Sequence, residues 1–485
     1  MTRKFLPVAA AWLGFAAAAL GQQSKPDDLP TAPEPQPTAA TAPLATLPGG
    51  VVVERASSQA LRLSIDDAIA RGLEHNVRIL LQKQNQRSIH GQVLEVKNNL
   101  LPSMSAVAKT STQEINLAAL GFKPGNAHIP GFDTTNFPTI VKVDVTSAQL
   151  NLNQQLFNVP AYFLYRAAQR ADDVASWTML NERGTVALDV ATQYLRALAD
   201  SAQIEDARAL LKADQVALNQ AQASHDAGVG THLDVLRAQV QLQTQQQAVI
   251  NDENIFAKDK IALNRLIGLP ADQELVLTDQ SPYAEFAALP LDQAMKIAFE
   301  RRKDLRSLES QMEVAERTLK AVKYERLPSL SFDGNYGVLG ETQGLYHGVF
   351  TAMGKLSFPI FQEGQLRGER EVGQAQLNGL QQQVDSLKVT IEQQIRSAML
   401  DVQATDEQVK VARSNVDLAA QALQDTMDRY TAGVDDNLPV VQAQASLASA
   451  QSRLVDTLYR YNQAKLTLAR NTGVVETQYR TYLGR

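Results

Sequence analysis

Apolar residues recur at spacings of three and four along most of the chain, a pattern typical of helices. In 64–100 and in 290–326 this spacing predicts a helix of about 37 residues, and a proline follows closely after each. Two longer stretches, 160–226 and 363–430, are rich in Ala, Gln, Leu and Val and carry no proline beyond the first turn. They predict helices about 100 Å long.

A glycine-containing turn ends each long helix and reverses the chain. The turns are 227–231 and 432–436, and each leads into a helix of about 37 residues. These returning helices end near Gly268 and Gly473. Because an opening and a returning helix together match the length of a long one, we expect two short helices end to end beside each long helix.

Alternation of apolar and polar residues predicts strands between the opening and the long helices. In the second half the alternation covers 330–339 and 350–358, with the apolar residues on one face. In the first half the apolar residues change parity between Val145 and Leu150. That change predicts a bulge or a strand end near Ser147.

The same order of elements occurs twice because the chain is a tandem duplication. A shift of 226 positions aligns Leu101-Pro102-Ser103 with Leu327-Pro328-Ser329, and a shift of 205 aligns Ala227-Gly228-Val229 with Ala432-Gly433-Val434. The smaller shift means that the first copy holds about 21 extra residues. Only 120–138, with its glycines and prolines, has loop composition there, so we expect a long extracellular loop.

Composition divides the rest of the chain. Arg3 and Lys4 precede an apolar run that falls short of the roughly 20 residues of a membrane span, which favours a cleaved signal peptide over a membrane anchor. A proline- and alanine-rich stretch follows that cannot bury enough apolar area to fold. The expected segments are a signal peptide (1–21), a disordered tether (22–58), the first repeat (59–288), the second repeat (289–473) and a C-terminal tail (474–485).

The residue inventory argues against an enzyme and against cofactors. The chain has no cysteine and a formal charge of −6, which excludes disulfides, thiolate nucleophiles, a lipoprotein anchor and a basic surface for nucleic acid. No Walker-type loop, GxSxG or HExxH motif occurs. Of six histidines only His225 and His232 share a region, and there a solvated turn is favoured over a metal site.

Four amphipathic strands in one chain form a sheet with two bare edges, and a membrane requires such a sheet to close with strands from other chains. About 10 residues per strand suit a tilted crossing of an outer membrane. Aromatic residues near the strand ends predict an aromatic belt in such a barrel. The alternative is that they cap a soluble core where sheet and helices join. The belt residues are Phe157, Tyr162, Phe350, Phe358 and Phe361.

The chain resembles the TolC family of outer-membrane efflux proteins. The resemblance rests on the order of these elements, the Leu-Pro-Ser-x-Ser sequences at Leu101 and Leu327, the segment 356–365 and the Tyr-Thr-Ala-Gly turn at 430–433. The resemblance covers 61–473. It implies a mainly α protein with a membrane β-barrel, in which long antiparallel helical rods form an α-barrel tunnel and each chain adds four strands to a trimeric 12-stranded barrel.

The resemblance also implies a function and partners. The chain would be a homotrimer in outer-membrane lipid with a periplasmic extension, serving as the passive exit duct of a tripartite efflux or type I secretion system. A periplasmic adaptor and an inner-membrane transporter would be its partners. The alternative function is a soluble periplasmic coiled-coil scaffold whose strands form only a cap.

In the family the two helix turns form a periplasmic gate. The family's pattern pairs an Asp after the first turn with a Tyr and an Arg at the second; this sequence has Asp where that Arg would be, and Pro439 and Gln442 replace two pore aspartates. Alternatively, Asp234 is a helix N-terminal carboxylate and the two later aspartates are solvated turn residues. The implied gate residues are Gly228, Asp234, Tyr430, Gly433, Asp435 and Asp436.

Overall fold

The computed structural model of the chain describes residues 49–52, 55–57, 59–120, 138–280, 283–285, 289–435 and 437–484. The expected signal peptide, most of the tether, residues 121–137 of the expected long loop and Asp436 lie outside the described residues.

Both copies contain the same elements in the same order. The first copy comprises β1 (Leu61–Leu63), α1 (Ile65–His75), α2 (Val77–Asn98), β2 (Ser103–Asn116), β3 (Ile140–Phe157), α3 (Val159–Asp226) and α4 (His232–Ile267). The counterpart of β1 is β4 (Leu275–Leu277), which lies before the expected start of the second repeat at 289; the second copy continues with α5 (Leu291–Arg301), α6 (Lys303–Tyr324), β5 (Ser329–Glu341), β6 (Tyr346–Ser357), α7 (Glu363–Thr431) and α8 (Leu438–Asn471). A last helix, α9 (Val475–Leu483), lies in the expected tail.

The two long helices are confirmed close to their predicted bounds. α3 has 68 residues and α7 has 69, which corresponds to about 100 Å each. α3 begins where the side chain of Asn158 accepts a hydrogen bond from the N–H of Ala161 at 3.0 Å, with Pro160 in the first turn. Across the described ranges, no helix combines the length and apolar character needed to cross a membrane.

The prediction of one unbroken opening helix was wrong in both copies. Asn76 and Arg302, which the repeat aligns, adopt extended backbone angles and divide the segment into two helices. Both side chains are buried and hydrogen-bond to other parts of the chain, as Asn76 does by donating to the carbonyl of Leu266 at 3.3 Å. Spacing could not reveal the break because helical periodicity continues on both sides of it.

The short helices lie beside the long ones, with one departure from the expected pairing. α2 and α4 pack along α3 and α8 packs along α7, but α6 lies against both long helices and contacts α3 more extensively than α7. Gly268 and Gly473 end the returning helices with φ of 76° and 77°, and each touches the break in the opening helix. A Cβ on Gly268 would lie 2.7 Å from Cβ of His75. Glycine is therefore needed both for the left-handed backbone and for the close approach.

The main hydrophobic core surrounds these junctions. β1 and β4 pair in parallel there, joining the two copies through Leu61 and Leu275. α9 completes the core, since Tyr479 and Leu483 pack into it. Tyr194 is fully buried in the centre and donates a hydrogen bond to the carbonyl of Leu63 at 3.0 Å. Packing around Tyr194 thus holds the helices together near the middle of α3.

The other sheet is antiparallel with the order β2-β3-β5-β6. The predicted bulge near Ser147 was wrong, because Ser147 pairs regularly with Lys109 and Leu339, and the register shifts only between Gln155 and Phe157. The apolar residues of β3 change faces along a regular strand. β2 is the strand expected before the long loop, but its bounds could not be predicted, because its Ser-, Thr- and Ala-rich sequence lacks strong alternation.

The two faces of this sheet differ in polarity. One row across the four strands is Ala106, Leu150, Tyr336 and Phe350, and the neighbouring row on the opposite face is Ser105, Asn151, Asn335 and Thr351. The alternation predicted for β5 and β6 is therefore confirmed by the register. β2 and β6 are the outer strands of the four.

Candidate functional site

The two helix turns have the same backbone. The N–H groups of Val229 and Gly230 donate to the carbonyl of Ser224 at 3.0 and 2.9 Å, and Gly228 has a φ of 73°. In the second turn Val434 donates to the carbonyl of Arg429 at 3.0 Å, and the φ of Gly433 is 70°. Such left-handed glycines satisfy the last carbonyls of a helix and allow the chain to reverse.

Asp234 caps the start of α4. Its carboxylate accepts hydrogen bonds from the hydroxyl of Thr231 at 2.6 Å and from the N–H of Thr231 at 3.3 Å. The hydroxyl of Thr231 in turn accepts from the N–H of Asp234 at 3.2 Å, which completes a capping box. Asp234 is only 7% exposed, and Arg237 lies 3.7 Å from its carboxylate. The helix N-terminal role considered for this residue is therefore present.

The second turn touches the first beside Asp234. Burial and the negative charge of Asp234 raise the pKa of Tyr430, while a hydrogen bond with Ser224 opposes that shift. Asn437, which is 2% exposed, donates its side-chain N–H to the carbonyl of Asp234 at 3.5 Å. Tyr430 and Asn437 of the second copy thus both reach the first turn, at Ser224 and at the backbone of Asp234.

Asp435 is paired within its own turn. Its carboxylate lies 2.8 Å from Nε of Arg429, near the end of α7. The Asp that stands in place of the family's Arg is therefore balanced by a cation only six positions earlier in the sequence. Asp234 and Asp435 each have an arginine within 4 Å, which reduces the negative charge that either presents.

Sequence reasoning missed four residues of this site: Ser224, Arg237, Arg429 and Asn437. Asn437 carried a signal, because it precedes a helix with proline in its first turn, where a capping residue is expected. Its side chain makes no cap hydrogen bond and instead reaches the first turn. The other three carried no signal that distinguishes them from solvated helix residues.

The proposed belt aromatics are all exposed in the single chain. Phe350 lies opposite Tyr336 on the apolar face of the sheet, and Phe157 lies opposite Leu330 at the end next to the helices. Tyr162 is in the first turns of α3, and Phe358 and Phe361 lie between β6 and α7. The belt residues therefore lie at two levels of the sheet, along its apolar face and at its junction with the helices.

A carboxyl pair lies between α3 and α4, away from the turns. Arg196 Nε is 3.5 Å from one oxygen of Asp200 and 3.7 Å from one of Asp259. Burial, a hydrogen bond with Asp259 and the charge of Asp259 raise the pKa of Asp200 to about 7, while Arg196 opposes the shift. In the described part of the chain, no three His, Asp or Glu side chains gather in a group that could hold a metal ion.

Comparison with known proteins extends over most of the chain. The family described as outer membrane efflux protein matches residues 68–269 and 294–474. A probable efflux pump outer membrane protein, SepC of Pseudomonas putida, is 27% identical over 307 residues, which are 62% of this chain and 62% of SepC. The outer membrane protein TolC of Escherichia coli K12 is 22% identical over 431 residues, 82% of this chain and 84% of TolC. The match to SepC thus spans less than two thirds of that relative.

Solved structures have the same fold. A membrane protein of Pseudomonas aeruginosa superimposes with a TM-score of 0.72 at 17% identity, over 88% of this chain and 100% of that one. The outer membrane channel CmeC of Campylobacter jejuni gives a TM-score of 0.71 at 13% identity, over 85% and 86% of the two chains.

Proposed function

The chain belongs to the outer membrane efflux protein family, and we propose that it is the outer-membrane exit duct of an efflux system. One observation carries the proposal: a four-stranded sheet with one apolar and one polar face stands at the end of two helices about 100 Å long. A duct needs both parts, a barrel in the membrane and a tunnel that reaches across the periplasm.

The sheet supports assembly into a barrel. Its apolar face, with Leu150, Tyr336 and Phe350, suits lipid, and its polar face, with Asn151 and Asn335, suits a water-filled lumen. A lipid environment tolerates no open sheet edge, so the outer strands β2 and β6 require strands from other chains. Three chains would supply the twelve strands of the family's barrel.

The long helices separate the two turns from the sheet. α3 and α7 begin directly after the strands and end at the turns, so the turns lie about 100 Å from the sheet. We assign them to the periplasmic entrance. There the contacts of Tyr430 and Asn437 with the first turn would hold the entrance closed, and opening would separate them. Gly228, Gly433, Asp234, Asp435 and Asp436 complete the proposed gate.

The partners and cargo follow from the relatives. A periplasmic adaptor would bind the helical tunnel, and an inner-membrane transporter would select the substrate. The match to a toluene efflux pump outer membrane protein, TtgF of Pseudomonas putida, at 27% identity supports small apolar molecules ahead of secreted proteins. The loop at 120–138 would face the exterior, because it joins β2 and β3 at the end of the sheet away from the helices.

Crosslinking tests the assembly directly, since the chain contains no cysteine. Ser105→Cys in β2 combined with Thr351→Cys in β6 places thiols on both outer strands in one cross-strand row. In outer membranes, a short bis-maleimide should give a ladder of up to three chains on a denaturing gel. Asn151→Cys with Asn335→Cys, a pair on adjacent inner strands, is the matched control and should crosslink only within one chain.

Fractionation separates the duct from the soluble scaffold. A barrel should stay in the detergent-soluble outer-membrane fraction and run as a heat-modifiable oligomer. Release by a salt wash, together with no ladder from the β2–β6 pair, would establish the scaffold and refute the duct.

A further inference from the structure

Two histidines face each other across the first helix turn. His225 is in the last turn of α3 and His232 is the first residue of α4. Their ring centres are 5.5 Å apart, the ring planes are inclined by 36°, and both residues are exposed. The proposed gate uses neither side chain.

The turn positions the ring of His225 and the backbone of His232. Nδ1 of His225 lies 3.4 Å from the carbonyl oxygen of Gly230. When Nδ1–H donates to that carbonyl, Nε2 carries the free lone pair, which is the arrangement that metal-binding histidines commonly adopt. His232 is held by the capping box of Thr231 and Asp234 that begins α4. The ring of His225 is therefore placed by a contact with the turn, and the backbone position of His232 by the start of α4.

The separation of the rings suits a shared ion. A metal ion about 2.0 Å from one nitrogen of each imidazole places the two ring centres about 5 Å apart. We propose that His225 and His232 form a two-imidazole site for a divalent transition-metal ion at the tip of the first repeat. Water or a ligand carried by the ion completes its coordination. Copper should bind more tightly than nickel or zinc, because affinity for nitrogen ligands peaks at Cu²⁺.

The site belongs to one copy only. The repeat aligns His225 with Tyr430 and His232 with Asn437, which contact the first turn instead of binding an ion. Two turns with the same backbone would thus have different tasks, one exposing a chelating pair and the other holding the tips together. Bound metal would link α3 to α4 directly across Gly228.

Copper titration of the purified full-length protein tests the site. We expect the wild type to bind one Cu²⁺ per chain at this site. His225→Asn and His232→Asn should each lower the affinity of this site at least tenfold. His347→Asn, which changes a histidine in β6, should leave copper binding unchanged. The paramagnetic resonance spectrum of bound Cu²⁺ should show coupling to two imidazole nitrogens in the wild type and one in either variant. Affinity should fall in acid, because protons compete with the metal ion for the imidazole nitrogens.

Both substitutions are at exposed positions, and a helical circular dichroism spectrum equal to that of the wild type serves as the folding control. Copper binding that is unchanged in His225→Asn and His232→Asn would overturn the site. So would a wild-type spectrum without a two-nitrogen pattern. Neither result depends on transport, so the proposed duct is tested separately.

Discussion

The two copies of the repeat share a backbone but differ in what their equivalent side chains do. At the turns, Gly228 and Gly433 reverse the chain with nearly equal φ, yet Asp234 of the first copy aligns with Pro439 of the second. The first returning helix is capped by its own residues, whereas the second has no side-chain cap and sends Asn437 to its neighbour. Duplication has kept the chain reversal and allowed the contacts to diverge.

A second pair of equivalent residues shows the same divergence in the core. Lys260 lies 4.9 Å from the ring of Phe256, and its repeat equivalent Lys465 lies 4.3 Å from the ring of Tyr461. Lys260 remains partly exposed and pairs with a glutamate at 3.1 Å. Lys465 is fully buried and donates to the carbonyl of Ala284 at 3.3 Å. The segment that joins the two repeats therefore covers one member of the pair.

The largest difference in stability between equivalent substitutions in the two copies should occur at the breaks in the opening helices. Arg302 is 5% exposed and binds Asp304 with two hydrogen bonds, of 2.6 and 3.0 Å. Arg302→Ala leaves the N–H of Leu305 as the remaining hydrogen-bond donor to that carboxylate and should lower the free energy of unfolding by about 3 kcal/mol at pH 7. Asn76→Ala, at the uncharged equivalent, should cost about 1–2 kcal/mol. Denaturant unfolding of the detergent-solubilised protein measures both.

The pH dependence of the unfolding free energy distinguishes an electrostatic role of Arg302 from a packing role. Burial alone would raise the pKa of Asp304, but the hydrogen bonds and charge of Arg302 lower it below its usual value. The stabilisation is therefore present above about pH 4 and is lost as the pH falls through the lowered pKa. The deficit of Arg302→Ala should shrink in acid, while that of Asn76→Ala should stay constant. A deficit that does not change with pH would assign Arg302 a packing role only.

The next effect concerns the two lysines. Burial lowers the pKa of Lys465 to about 8, against the opposing charge of Asp406. The unfolded chain then binds more protons between about pH 8 and 10.5, so stability should rise with pH by up to about 3 kcal/mol in that window. Lys465→Met should remove this rise and Lys260→Met should leave it intact. Equal slopes in both variants would mean that Lys465 titrates as an exposed lysine does.

Sequence predicted the long elements well for a physical reason. A proline-free stretch that ends in a glycine turn has few alternatives to a long helix, so the bounds of α3 and α7 could be predicted closely. The breaks at Asn76 and Arg302 depend on tertiary hydrogen bonds and left the periodicity unchanged. The contact of Asn437 with Asp234 joins residues about 200 positions apart, and no local pattern specifies such a contact.

Alanine substitution of the turn glycines should destabilise both turns by the same, smaller amount. A Cβ added at Gly228 or at Gly433 meets no atom within 4 Å, so alanine costs only the left-handed backbone strain. We expect about 1–2 kcal/mol at either position. Hydrogen exchange of the amides in each turn would register this as faster local opening. A clearly larger effect at one glycine would mean that the assembled protein holds that turn against another surface.

The smallest expected changes in stability are those of substitutions at Asp234 and Asp435, and they should differ between the two residues. Asp234→Ala removes the capping box and should destabilise the first turn by about 1 kcal/mol, a factor of about five in amide exchange. Asp435→Ala removes a partly exposed ion pair with Arg429 and should cost at most about 0.5 kcal/mol in the second turn. At about 1 M salt the Debye length falls to roughly 3 Å, so the Asp435 effect should vanish, while the Asp234 effect should persist because it depends on hydrogen bonds. If Asp435→Ala instead has the larger effect and resists salt, its carboxylate is engaged by a group outside this chain. The second turn would then be the one fixed by assembly, and the first the one fixed by its own sequence.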